Sequence, residues 1–140
     1  MASCVIASCT QVMGPTRSYA RYEEKAAATA DAVLSAVRTA SLVAEGAVDG
    51  DLFGPYTSVV LSEAEAAAAG AQSTFDGIQP PDGRSDALRD DLGRLLDRAV
   101  DELTDLRIEA RRSQTAGLGA HGPALARIAD DLEAFSERHQ

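Results

Sequence analysis

Cys4 and Cys9 are the only thiols in the chain, and they stand five residues apart in the stretch ASCVIASCT. A disulfide between them would close too short a loop to constrain a fold. Both precede any segment with folded periodicity, so neither has a neighbour to activate it as a nucleophile. The two histidines offer no better chemistry. His121 lies in TAGLGAHG (115–122), and His139 is next to the last residue. Neither sits one helical turn from a carboxylate on a predicted core face. The paired Glu-x-x-His pattern of carboxylate-bridged di-iron bundles is absent, and so is His-Glu-x-x-His. Both histidines are expected to face solvent.

The densest carboxylates are Asp86, Asp90, Asp91, Asp97, Asp101, Glu102, Asp105 and Glu109. Such density can hold a hard cation. Here the acids lie off the leucine seam and alternate with arginines. Asp90–Arg94, Asp86–Arg89 and Glu109–Arg112 stand at helical pair spacing. The expectation is a solvated face laced with weak ion pairs. Gly117, Gly119 and Gly122 lack the Gly-Lys-Ser/Thr ending and the preceding strand of a phosphate loop. They read as a helix–helix connector. Tyr19, Tyr22, Phe53 and Tyr56 are expected to converge near the ends of the first two helices. There they would plug space left by alanine, or line a binding surface with wet hydroxyls. No catalytic residue, cofactor or metal site is expected.

The elements behind these residues are helical. The 140 residues suit one domain. A net charge of −9, from 22 acids against 13 bases, repels phosphate backbones and argues against nucleic-acid binding. Alanine is abundant, tryptophan is absent, and runs of strand character are missing apart from TSVVLS (57–62). The first helix should run from about Arg17 to Val48, with Tyr19, Tyr22, Ala26, Ala30, Val33, Val37, Ala40, Ala44 and Val48 on one face. DGDLFGP (49–55) stops it. The second starts near Pro55 and carries Val59, Val60, Ala64, Ala67, Ala68, Ala71 and Phe75. DGIQPPDG (76–83) ends that one. In the third, Ser85 caps a seam of Leu88, Leu92, Leu95, Ala99, Leu103, Leu106 and Ala110. The fourth begins at Pro123 with Leu125, Ile128, Leu132 and Phe135.

These patterns predict an all-α fold. It is an antiparallel, up-down-up-down four-helix bundle over 17–140, preceded by a disordered leader and linker over 1–16. A cavity, if present, should lie between the third and fourth helices, where side-chain bulk varies most. No run of eighteen apolar residues is visible, so no segment is expected to span a membrane.

The leader carries one further signal. Ile6-Ala7-Ser8-Cys9 resembles a bacterial lipobox, in which signal peptidase cuts before a cysteine that then receives lipid. TQVMGPTRS (10–18) would be the tether. Only MASCVIAS precedes Cys9, without Lys or Arg, which is too short to direct export as written; one repair that the resemblance implies is a start further upstream. Lys25 is the only lysine, and arginine and alanine dominate, as in a GC-rich genome such as an actinomycete's. With FGPYTSVVLSEAE, FDGIQPP and LTDLRIEARR, the chain is similar to small Ala-rich helical lipoproteins of actinobacteria. The resemblance implies lipid on Cys9, the extracytoplasmic face of the cell membrane, and no catalytic residues. It implies a bundle that binds a protein or envelope component. Two alternatives stand beside it. One is a cytosolic adaptor acting through homodimer or partner-helix packing, and the other is a ligand-sensing bundle.

Overall fold

The computed structural model describes residues 18–112 and 115–140. Cys4, Cys9 and the leader reading of 1–16 therefore lie outside the described residues. Those described form five helices and no strand: α1 (Tyr19–Val48), α2 (Gly54–Asp76), α3 (Gly83–Arg111), α4 (Thr115–Ala120) and α5 (Gly122–Arg138).

α1 follows its expected period. Tyr22, Ala26, Ala30, Val33, Val37, Ala40 and Ala44 are all buried. It starts at Tyr19 rather than Arg17, because the Ser18 hydroxyl oxygen accepts the Arg21 N–H at 3.4 Å. At its far end Gly50 adopts φ of 82°, a left-handed conformation that favours glycine. The Asp51 and Leu52 N–H groups then donate to the Gly46 carbonyl, at 2.9 and 3.2 Å. Leu52 folds back over Gly46, where a Cβ would stand 3.0 Å from Leu52 Cδ1. The expectation that no segment is apolar enough to cross a membrane is corrected by α1. It is long and apolar enough by length and composition alone, because its many alanines count as apolar. Half of that apolar window is buried inside the fold.

α2 opens with Pro55 in its first turn and absorbs TSVVLS as helix. Thr57, Leu61, Ala64, Ala68 and Phe75 are its buried residues, and the buried Thr57 hydroxyl donates to the Phe53 carbonyl at 3.3 Å. Val59 was expected on this stripe but faces solvent. In α3 the cap is Asp82, not Ser85. The Asp82 carboxylate accepts the Ser85 N–H at 2.8 Å and the Ser85 hydroxyl at 2.7 Å, starting the helix earlier. Its seam is buried as expected, except that Leu96 is the fully buried partner and Leu95 only partly so.

The 115–122 connector is not a plain loop. It holds α4, whose Leu118 is 2 % exposed and anchors the turn in the core. The described residues thus hold five helices, the short α4 standing beside the four expected. α5 buries Leu125, Ile128, Leu132 and Phe135.

α1 packs against every other helix, α2 packs against α3, and α3 packs against α5. Starts of helices meet ends of their neighbours. Tyr22, early in α1, stacks on Phe75, late in α2, with ring centroids 5.3 Å apart. Arg89, early in α3, donates to the Asp76 carbonyl at 2.7 Å. Arg38 on α1 pairs with Glu133 on α5 at 2.9 Å.

Candidate functional site

The expected exposure of both histidines is overturned. His121 Nδ1 donates to Glu102 Oε1 at 2.7 Å, joining the start of α5 to α3. His139 Nδ1 bonds Glu23 Oε1 at 2.9 Å, pinning the chain's end to α1. Both pairs are partly buried. Glu23 also accepts from the Tyr19 hydroxyl at 3.1 Å. The His139 hydrogen bond holds the Glu23 carboxyl below its ordinary range, against the opposing push of burial. These partners are 19 and 116 residues distant in sequence. Helical spacing rules therefore could not find them.

Of the acids of α3, Asp91, Asp97, Glu102 and Glu109 have side-chain partners among the described residues. Arg94 pairs with Asp91 rather than Asp90, and Arg112 stands 3.9 Å from Glu109. The expected Asp86–Arg89 pair is replaced by the Arg89 contact with the Asp76 carbonyl. Between helices, Arg98 meets Asp131 at 2.9 Å and Gln72 meets Asp97 at 2.5 Å. Arg107 pairs with Glu65, which also accepts from Thr104 at 2.9 Å. Burial pushes the Glu65 carboxyl up, but the hydrogen bonds from Arg107 and Thr104 outweigh it and hold it low.

A broad concavity lies between α3 and α5, where the sequence placed a possible cavity. It is an open groove of about 650 Å³ over Ala124 and Ile128, walled by Arg98, Asp101, Asp105, Arg127 and Asp130. Among the described residues, no group of three or more His, Cys, Asp or Glu side chains is arranged to hold a metal ion.

The four aromatics do not converge. Tyr19 and Tyr22 lie at the start of α1. Tyr22 is fully buried, its hydroxyl bonded to no described residue, and burial raises its pKa. The Arg84 guanidinium sits 3.7 Å from the Tyr19 ring centroid. Phe53 and Tyr56 are at the opposite end of α1, roughly 45 Å away at 1.5 Å per residue. There they are 69 % and 49 % exposed.

That opposite end holds a feature only part of which the sequence offers, through Phe53 and Tyr56. Among the described residues, the exposed large apolar side chains are Leu42, Val48, Phe53, Tyr56 and Val59, all within the last turns of α1, the connecting turn and the first turns of α2. Phe53, Tyr56 and Val59 step by three, so they form one stripe. Two concavities of about 340 Å³ flank them. One contains Val59 with Ser58, Glu63 and Arg111. The other contains Val48 with Glu45, Leu118 and Leu125. The signal available in sequence was Leu42, which stands off the α1 stripe. Val48 and Val59 fitted apolar periods and were assigned inward.

Neither a protein-family model, nor a curated protein, nor a solved structure matches this chain.

Proposed function

We propose that this chain is a non-catalytic binding module: an antiparallel up-down-up-down four-helix bundle with α4 inserted in its last connection. It is held at the extracytoplasmic face of the cell membrane through lipid on Cys9 and binds a protein or envelope component. The observation that carries the binding reading is the gathering of exposed large apolar side chains at one corner, between Leu42 and Val59. Isolated exposed apolar residues are ordinary, whereas a gathered set marks an interaction surface. The non-catalytic reading is supported by the engagement of both histidines in pairs that join helices. The address rests on the lipobox-like Ile6-Ala7-Ser8-Cys9 and the resemblance to small helical lipoproteins of actinobacteria.

Fatty-acid labelling of cells that express the gene with its native upstream DNA tests the anchor. Label is expected on the native chain and lost in Cys9→Ala. Absent label, or label that survives the substitution, ends it. A cytosolic adaptor that works as a homodimer is the second reading; the exposed apolar side chains favour it, and the acids around them oppose it. Sedimentation as a monomer at all concentrations would remove it.

A further inference from the structure

From Thr39 to Gly83 the chain contains no Lys, Arg or His, yet it carries seven acids. That span includes the whole exposed corner and all of α2. Some carboxylates elsewhere find cations, as Asp131 does in Arg98 and Glu133 in Arg38, while others such as Asp101 and Asp130 have none among the described residues but lie beside arginines in sequence or across the α3–α5 groove. Within the span, Glu65 has Arg107. Around the corner, Glu45, Asp49, Asp51 and Glu63 make no ion pair with a described residue. Arg111 lines the concavity beside Val59 and Glu63, and the concavity beside Val48 and Glu45 has no basic residue in its lining. The corner is therefore an apolar stripe with an anionic rim.

Resting on the binding-module reading, we infer that this corner docks an amphipathic helix of a protein partner, apolar on the docked face and flanked by Lys or Arg. The apolar face covers Phe53, Tyr56 and Val59, as anchors on a helix fill a hydrophobic surface. The basic flanks meet the four unpaired carboxylates, which steers encounter and excludes partners of the same sign. Two other occupants are disfavoured by charge. A second copy would bring the same four carboxylates against themselves across a self-complementary interface. An anionic lipid surface would be repelled by the rim.

The test titrates the isotope-labelled protein with two synthetic amphipathic helices of equal length, one Leu/Lys and one Leu/Glu. Phosphatidylglycerol vesicles form a separate arm. The Leu/Lys helix is expected to move the amide signals of residues 42–63, and the Leu/Glu helix to leave them in place. Phe53→Ser with Val59→Ser weakens Leu/Lys binding by about tenfold or more. Neutralising Glu45, Asp49, Asp51 and Glu63 to Gln or Asn does the same. Neutralising Asp90, Asp101, Asp105 and Asp130 instead changes the net charge equally and leaves affinity within about twofold. Equal loss from both sets, or signals moving in the α3–α5 groove, overturns the inference. If both helices dock at the corner equally well, the charge argument falls and the binding module stands. If neither touches the corner, both fall. Corner signals that move with vesicles, or with protein concentration alone, assign the surface to lipid or to a second copy and overturn it too.

Discussion

The two ends of α1 are finished in opposite ways. At the Ser18 end, Tyr22 and Phe75 stack inside the fold, Phe135 is 1 % exposed, and the Glu23–His139 pair ties down the chain's last residues. At the Asp49 end, Phe53 is 69 % exposed, and the carboxylates around it have no ion-pair partner among the described residues. Both ends carry aromatics, so composition alone does not separate them. The separation comes from backbone geometry. At the Ser18 end the aromatics sit within helices, on faces that point inward. At the other end, Gly50 and Pro55 turn the chain sharply, and Phe53 precedes the first turn of α2 as its exposed cap residue.

The largest expected effect breaks this contrast directly. Phe135→Ala should cost about 3–5 kcal/mol in urea unfolding, while Phe53→Ala changes stability by no more than about 0.5 kcal/mol. Equal losses would mean that the corner is packed after all. Next comes the pair that lies between the ends. Glu65→Ala leaves Arg107 and Thr104 without their shared acceptor, at a cost of about 2 kcal/mol in the same assay. A smaller effect has the opposite sign. Tyr22→Phe removes a buried hydroxyl with no described partner, and thermal unfolding should show a gain of about 1 kcal/mol. A loss there would reveal an unseen partner for the hydroxyl.

The smallest effect is a slope. The Glu23 pKa is lowered in the folded chain, so its contribution is fully present above the ordinary carboxylate pKa. It is lost as pH falls through the folded value. Glu23→Gln should therefore flatten the acid limb of a stability–pH profile. An unaltered acid limb would show that the His139 contact does not persist in solution.

The sequence was most legible where one period governed a long segment. The buried faces of α1 and α3 follow from spacing because the same rows of side chains meet the core over seven or more turns. It was least legible where tertiary partners decide. His121 and His139 were set in solvent because their glutamates lie on other helices. Asp82 displaced Ser85 as cap, since either side chain suits the role and only the turn geometry chooses. α4 escaped because six residues with two glycines carry too little period to read, and Leu118 alone seats it. The corner was half visible: the missing bases are plain in the sequence, but periodicity drew Val48 and Val59 inward. Cys9, the one residue given a chemical role, lies outside the described residues.

The run without bases also determines how this surface behaves under reagents. Trypsin cuts after Lys and Arg, so the chain between Arg38 and Arg84 leaves complete digestion as one fragment. Amine-directed cross-linkers find no lysine in it, whereas carboxylate-directed ones find seven attachment points. A molecule joined anywhere on the corner by carboxylate coupling thus adds its mass to that single peptide.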